Sequence, residues 1–526
     1  MVDSTILLYC ALLVAAAWLL RMQSSQRSTY RTLGNVPGPS SHSWLKGNFM
    51  KFFDRHGGTF QQDVALNYGP IVRLEGRCGR KILYVSDPKA LHTMLIKEEN
   101  VYEATDAFFA SRRLIFGECL LATAGEHHRR QRKILNPVFS VSHMRHMLPI
   151  FYNIIFKLRE VVRTKVEAGK SEVDVLEWTG RAALELIGQG GLGYSFDPLA
   201  TDTETRNEYG DALKALKLVQ LGPRRFRRFV TDIFPHPHLQ RVKDVIDTMD
   251  EKSRAIFREK ETALENGDKA SRLARCTDLH PVKANNAASE QDRLPENELI
   301  AQMSLLLSAA TDTTSNTLSR ILYLLAEHRE LQSKLREEIL ESDAGSGNIS
   351  YDELNKLPLL DAVCRETLRR YPPVTNLVRA KDSVLPLSEP ICGVDGTMMK
   401  EVAIPKGTEL LIGTFGCNVN KALWGEDSLE WKPERWLSPL PRAVTEASIP
   451  GVYSNLMSFM GGKRACIGFK FSEMEMKVVL SVMLSNFTFE LTDKPIEWNI
   501  GVVWYPTIGR HSDLPQLLLK VGLYKA

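Results

Sequence analysis

Residues 459–468 carry the sequence F-M-G-G-K-R-A-C-I-G, in which one cysteine, Cys466, lies in a glycine-containing loop. The apolar run at residues 469–484 predicts a helix, so a Cys466 thiolate would lie near a helix N-terminus, which favours an anion. Gly461 and Gly462 allow turn conformations and a close approach of the backbone to a flat ligand. A lone cysteine is commonly an ordinary buried thiol. A single thiolate in such a loop also suits the binding of a haem iron.

Five fixed positions of this stretch form the pattern F-x-x-G-x-R-x-C-x-G, filled by Phe459, Gly462, Arg464, Cys466 and Gly468. The pattern resembles the cysteine loop of the cytochrome P-450 haem-thiolate monooxygenases, and the chain looks most like the fungal microsomal members. The resemblance implies a mainly α fold with a smaller β-rich lobe (α+β) and a long central helix over haem b. It also implies that Cys466 is the axial ligand of the haem iron, with Gly462 and Gly468 beside the cofactor.

The composition of the 526-residue chain bounds its partners and its compartment. Lys plus Arg number 67 against 63 for Asp plus Glu, and the net charge of +4 does not suggest nucleic acid as a partner. The 8 cysteines are scattered without a CxxC pair, which indicates free thiols in a reducing compartment. The length allows a large buried core.

The N-terminal residues form the clearest compositional feature. Residues 5–20 carry no charge, Asp3 precedes them, and the positive charges follow from Arg21 onward. A cleaved signal peptide is the alternative to a retained signal-anchor. The order of charges favours the anchor and leaves the rest of the chain in the cytosol. We therefore expect a transmembrane signal-anchor at residues 1–22, a linker with a proline-rich hinge at 23–45 and a catalytic domain at 46–526, held at the endoplasmic reticulum membrane.

Periodicity and turn signals predict the main elements of the catalytic domain. Strands are expected at residues 71–74 and 82–85, a short basic helix at 125–135, and a long helix, buried nearly all round, at 296–327. Residues 102–124 lack a clear period and are expected to form a connector, the loop over the haem in the resembling family. Residues 266–293 are polar and low in apolar content, which predicts an exposed loop or a partly disordered linker.

The middle of the predicted long helix carries the sequence A-A-T-D-T-T at residues 309–314. Taken alone, this segment could be a helix kink with a solvated Asp, since threonines in helices bond carbonyls four residues back. It resembles the oxygen-activation motif of the family, with Ala310 in place of the usual Gly. The resemblance implies that Asp312 and Thr313 help to deliver protons during oxygen activation.

Two further motifs follow in the family's order. Glu366 and Arg369 are three residues apart and share a helix face, which alone would indicate a surface ion pair of small value. The sequence W-K-P-E-R-W at residues 431–436 comes downstream. The resemblance implies that Glu366, Arg369 and Arg435 form a buried set that supports the cysteine loop.

The resemblance also implies the remaining contacts of the cofactor. His128, Arg132, Arg379 and Arg464 would neutralise the haem propionates, although a basic helix at 125–135 is usually a solvated face. Phe459 would shield the sulfur from water. Electrons from NADPH would come through a separate membrane-bound diflavin reductase.

The substrate is the least determined part of the prediction. A hydrophobic small molecule and O2 are implied, and a terpenoid or sterol, in particular a lanosterol-type triterpenoid, is our expectation for fungal secondary metabolism. Sesquiterpenoids and aromatic xenobiotics are the alternatives. A haem-thiolate isomerase or lyase, or a non-catalytic haem-binding protein, are the alternatives from other classes, and an isomerase or lyase would not need the Asp312–Thr313 pair.

Overall fold

The computed structural model describes residues 32–41, 43–197, 199, 237–265, 281–342, 348–374 and 376–525. The predicted signal-anchor at residues 1–22 and the first part of the predicted linker lie outside these ranges. Among the helices within them, none combines the length and the apolar character that crossing a membrane requires.

Helices make up most of the secondary structure in the described ranges. In chain order the α-helices are α1 Phe49–Phe52, α2 Gly58–Asn67, α3 Pro88–His92, α4 Asp106–Phe116, α5 Gly125–Leu135, α6 Val141–Glu167, α7 Val175–Leu186, α8 Pro237–Glu265, α9 Pro281–Asn286, α10 Glu296–Glu327, α11 Arg329–Ser342, α12 Tyr351–Leu354, α13 Pro358–Arg370, α14 Thr414–Asn418, α15 Lys421–Trp424, α16 Arg442–Glu446 and α17 Phe469–Asn486. The strands are β1 Ile71–Glu75, β2 Lys81–Val85, β3 Tyr102–Ala104, β4 Glu172–Asp174, β5 Asn376–Ala380, β6 Ser383–Cys392, β7 Met398–Ile404, β8 Glu409–Ile412, β9 Phe487–Leu491, β10 Ile496–Asn499, β11 Tyr505–Ile508 and β12 Leu518–Leu523.

The first of two compact units, here called the sheet unit, comprises the described residues up to 105 together with 376–426 and 442–464. Its five-stranded sheet has the order β1-β2-β8-β5-β3, with β2 parallel to β8 and the other neighbours antiparallel. Strand β2 is buried along its whole length, and Tyr84 packs with Phe52 and Leu411 in the core. Strands from residues 71–104 and from residues 376–412 therefore share one sheet.

The second unit, here called the helical unit, comprises the described residues of 106–374, 427–441 and 465–525. Helix α10 begins and ends at the predicted residues and is buried along most of its 32 residues. It packs against α7, α8, α17 and strand β9. Strand β9 belongs to the three-stranded sheet β4-β12-β9, so β12, near the end of the chain, pairs with the strand that packs on α10.

The prediction of an irregular connector at residues 102–124 was wrong. Strand β3 and helix α4 lie there instead. No residue of α4 is buried, so the helix has no buried stripe to generate a periodic pattern. Local contacts support it, since the Arg112 guanidinium lies over the Phe108 ring at 5.0 Å, four residues away along the helix.

The prediction of an exposed loop at 266–293 was wrong for residues 281–286, which form helix α9, and is confirmed for residues 287–293, which are non-helical and mostly exposed. Residues 266–280 lie outside the described ranges. Helix α9 buries Pro281, Val282 and Asn285. The Asn285 side chain satisfies both backbone groups of Leu294. Its Nδ2 donates to Leu294 O at 3.0 Å, and its Oδ1 accepts from Leu294 N at 2.7 Å. A buried amide therefore orders a segment whose composition is that of a loop.

Replacing Asn285 by Ala should lower the free energy of unfolding by about 1–3 kcal/mol, because the N–H and C=O of Leu294 lose a buried partner. Denaturant unfolding of the full chain measures the change. The neighbouring Asn286 is exposed and is the matched control, with an expected effect within about 0.5 kcal/mol for Asn286→Ala. Equal effects of the two substitutions would show that Asn285 does not hold this segment.

Candidate active site

The part of the cysteine loop that lies in the helical unit joins directly to helix α17. Gly468 is the N-cap residue of α17, and its N–H donates to Cys466. Arg132 of α5 donates from Nη1 to the carbonyl oxygen of Ala465 at 2.7 Å. Cys466 therefore lies between a helix N-terminus and a cation, and His128, one turn before Arg132, is buried.

The pKa of the Cys466 thiol corrects the expectation that the helix N-terminus alone favours a thiolate. Burial raises this pKa, and the Gly468 N–H and the Arg132 charge, which both lower it, do not compensate. A bound metal cation displaces the proton of a coordinating thiol outright. We therefore expect the Cys466 sulfur to be a thiol without a metal ion and a thiolate when it binds one.

The part of the loop in the sheet unit explains its glycines. A Cβ at Gly461 would lie 2.1 Å from Pro450 O, and one at Gly462, whose φ is +71°, would lie 1.9 Å from Leu95 O. Close approach to the chain's own backbone therefore requires glycine at both positions, and their place beside a flat ligand stays a prediction. Phe459 packs edge-on against Tyr453, with ring centroids 5.6 Å apart.

The basic residues predicted to contact propionates fall in different surroundings. In the sheet unit, Arg464 donates from Nη2 and Nε to Glu103 Oε1 at 2.8 and 3.1 Å. Strand β5 places Arg379 opposite Glu103 of β3 on one side and Glu409 of β8 on the other. Arg132 and His128 lie on α5 in the helical unit.

Helix α10 has an accessible polar segment in the middle of its buried length. Residues 298–307 and 314–322 are buried, whereas Ala309 is exposed and Asp312 and Thr313 are partly exposed. The hydroxyl of Thr313 donates to Ala309 O at 2.7 Å, which is the back-bond that the sequence predicts. The next residue, Thr314, shares a hydrogen bond of 3.1 Å with Ser472 of α17, six residues after Cys466. This bond connects the polar segment to the helix that begins at the cysteine loop.

The structure brings Glu366, Arg369 and Arg435 together in the helical unit. The Glu366 carboxylate accepts from Arg369 Nε and Nη2, both at 2.8 Å, and from Arg435 Nε at 3.4 Å. Trp436 Nε1 and the Lys432 N–H complete its partners at 2.9 and 3.0 Å. Because Glu366 and Arg369 are fully buried, this is a desolvated network and not a surface ion pair.

The electrostatics of Glu366 follow from these contacts. Burial alone would raise the pKa of its carboxyl group. The hydrogen bonds and the charge of Arg369, with the Lys432 N–H and Trp436, outweigh burial and hold the pKa below its usual value. Arg369 also donates to Ser428 O at 2.7 Å and to Glu430 O at 3.0 Å, so the network fixes the loop after residue 427.

These donors fit a haem. In the helical unit the thiol of Cys466 lies beside the cation of Arg132, so a cofactor that carries carboxylates and an iron with a sulfur ligand would find both partners there. The accessible segment of α10 offers an acid and an alcohol.

Comparison with known proteins agrees with this chemistry. A family model described as cytochrome P-450 matches residues 37–508. The chain is 64% identical to cytochrome P-450 monooxygenase 219 of Postia placenta, with 99% of each protein covered. The chain belongs to the cytochrome P-450 family. It is also 64% identical to cytochrome P-450 monooxygenase 212 of the same fungus, over 98% of this chain and 99% of the relative. It is 45% identical to ganoderic acid synthetase CYP5150L8 of Ganoderma lucidum, with 99% of each covered.

Membership makes the chain a cytochrome P-450 monooxygenase, an oxidoreductase of a family that uses haem, and its close relatives are fungal. The recognition of the family and of the enzyme class from the sequence motifs is thereby confirmed. The individual roles of Cys466, Asp312 and Thr313 stay predictions.

Sequence reasoning missed two acids of this P-450 chain. Glu475 is fully buried in α17 beside Thr314, and burial raises its pKa well above the ordinary value although the Thr314 hydroxyl lowers it. Glu103 binds Arg464 and Lys463. The sequence signal for Glu475 is its place inside the apolar run 469–484. This signal is weak, because two other charged residues, Glu473 and Lys477, lie in the same run.

Glu366→Gln should destabilise the folded P-450 chain by about 3–5 kcal/mol, because the Arg369 charge stays buried without its counter-ion. Thermal unfolding monitored by circular dichroism measures the loss. Glu434 is exposed on the neighbouring segment and provides the control Glu434→Gln, which should leave the melting temperature unchanged. Equal melting temperatures for all three proteins would contradict a supporting role for Glu366.

The raised pKa of Glu475 predicts a pH dependence of stability. The folded chain keeps this proton at pH values where the unfolded chain has lost it, so stability is complete below the ordinary carboxyl pKa and falls as pH rises toward the folded pKa. Between about pH 5 and about pH 8 the melting temperature of the native chain should fall more steeply than that of Glu475→Gln, which cannot ionise. Parallel profiles would show that Glu475 does not titrate in this way.

Proposed function

We propose that this P-450 inserts one oxygen atom from O2 into a hydrophobic small molecule at a haem bound through Cys466. The hydrogen bond between Thr314 and Ser472 is the observation that carries the proposal. It connects the accessible Asp312–Thr313 segment of α10 to the helix that begins at the cysteine loop, so that proton-donating groups and the sulfur ligand belong to one packed structure. Haem supplies the oxidative chemistry when bound.

We assign proton transfer, propionate binding and the exclusion of water to individual side chains. Asp312 and Thr313 hold and move protons at their carboxylate and hydroxyl oxygens. His128, Arg132, Arg379 and Arg464 supply the positive charge for the propionates. Phe459, held by Tyr453, excludes water from the sulfur.

Gly462 and Gly468 allow the backbone conformation of the cysteine loop. The buried network in the helical unit, formed by Glu366, Arg369 and Arg435, supports that loop. The substitution of Ala310 for the usual Gly leaves the acid and the alcohol of the motif in place.

Electrons should come from NADPH through a diflavin reductase, and the chain should be held at the endoplasmic reticulum membrane by a helix at residues 1–22 with the catalytic domain at 46–526 in the cytosol. The uncharged run at 5–20 and the arginines that follow it support this arrangement.

The substrate we propose is a terpenoid or sterol, with a lanosterol-type triterpenoid as the first choice. The 45% identity over 99% of both chains to a protein named ganoderic acid synthetase supports this choice. Sesquiterpenoids and aromatic xenobiotics are the alternatives to be tested beside it. The monooxygenase names of the relatives speak against an isomerase, a lyase or a non-catalytic haem-binding protein.

Product analysis tests the proposal. Membranes that contain the full chain and a diflavin reductase are given NADPH with lanosterol-type triterpenoids, sesquiterpenoids and simple aromatics, and products are identified by mass spectrometry. The expected result is a triterpenoid product heavier by one oxygen atom, dependent on NADPH and lost in Cys466→Ala. A normal thiolate-haem spectrum in Cys466→Ala would show that the ligand is a different residue.

The proton-delivery role of Thr313 has a matched control. Thr313→Ala should lower product formation by about 100-fold or more, while NADPH is still consumed, because a positioned proton donor is lost. Thr317 makes the same back-bond, to Thr313 O at 2.8 Å, but is buried, so Thr317→Ala should leave the ratio of product to NADPH unchanged. Equal ratios in both variants would refute the role.

A further inference from the structure

In the sheet unit, the carboxylate of Glu103 binds two cations of the cysteine loop, Arg464 and Lys463. Glu103 Oε1 accepts from Arg464 Nη2 at 2.8 Å, and Glu103 Oε2 lies 3.0 Å from Lys463 Nζ. The three side chains are 28%, 17% and 20% exposed, so solvent screens them only in part. The motif of the family accounts for Arg464, but nothing in it accounts for an acid on β3.

The geometry of the Arg464 contact is directional. Both Nε and Nη2 of the guanidinium reach the same carboxylate oxygen, at 3.1 and 2.8 Å, so one edge of the planar group is fixed by Glu103. The second oxygen of Glu103 is used by Lys463. Glu103 therefore sets the orientation of a cation that lies two residues before Cys466.

The ionisation of Glu103 agrees with this arrangement. Burial would raise the pKa of the carboxyl group, but the charges and hydrogen bonds of Arg464 and Lys463 outweigh burial and lower it. Glu103 is therefore an anion at neutral pH and cancels part of the positive charge of the loop. The register of the sheet also places Arg379 opposite Glu103.

The backbone segments that carry Glu103 and Arg464 are both held by packing. Gly461 and Gly462 hold the loop against the carbonyl oxygens of Pro450 and Leu95, and β3 is fixed in register with β5. The backbone at each end of the Glu103–Arg464 contact is therefore held in place, by sheet register at Glu103 and by loop packing next to Arg464. A fixed charge at such a place acts on its surroundings without reorganisation.

We infer that Glu103 is a positioning residue of the cysteine loop, which orients Arg464 and, through its negative charge, lowers the reduction potential of the iron bound at Cys466. The inference rests on the proposed ligand role of Cys466. Positive charge near a redox centre stabilises the reduced form, so the anion on β3 opposes the effect of Lys463 and Arg464.

The test measures the reduction potential of the haem-loaded full chain by spectroelectrochemistry, which needs neither substrate nor reductase. Glu103→Gln should shift the potential to more positive values. The double variant Glu103→Gln with Lys463→Gln restores the net charge of the cluster and should return the potential toward that of the native chain. Glu401 of β7 is exposed in the same unit, and Glu401→Gln, which removes the same charge, should have no effect.

Three results would overturn the inference: equal potentials for the native chain and Glu103→Gln, a double variant that stays as positive as the single one, or an equal shift in Glu401→Gln. Should Glu103→Gln fail to load haem, the double variant compared with Lys463→Gln alone gives the same charge difference. A failure of the proposed function is distinguishable, because the native chain would then lack a thiolate-haem spectrum or keep it in Cys466→Ala.

Discussion

Burial of the 32-residue helix α10 along most of its length is the constraint on which the helical unit depends. Every helix that packs on it must cover apolar surface, and the polar residues within it must find partners inside the protein. The buried Thr311 and Thr317 meet this need by bonding to Leu307 O and Thr313 O of their own helix, both at 2.8 Å. The segment around Asp312 stays accessible in the middle of the helix, and it carries the acid and the alcohol to which we assign proton delivery.

The ion pairs of the two units differ in their burial. In the helical unit, Glu366 and Arg369 are fully desolvated and satisfy each other with two hydrogen bonds, which makes the pair costly to break. In the sheet unit, Glu103 remains partly exposed and moderates two cations near the cysteine loop. The first arrangement supports the fold, whereas the second is suited to adjusting the electrostatics of a nearby centre.

Much of the fold could be predicted because its signals are local. The long helix, the basic helix at 125–135 and the strands of the sheet have strong periodicity or clear turn residues, and their observed bounds differ by a residue or two at most. Helix α4 could not be predicted in this way, because it buries none of its residues. Helix α9 was missed because its order depends on one amide side chain that bonds to Leu294.

The family and the reaction class could be inferred from the sequence alone, since the spacing of the cysteine loop and of the central-helix motif is covalent information that the chain carries in any conformation. Which polar groups lose their water depends on the fold. Packing raises the pKa of Glu475, makes an ion pair of Glu366 and Arg369 a buried network, and brings Glu103 to Arg464 from 361 residues away. Burial and long-range pairing depend on how distant segments pack, and no local pattern records them.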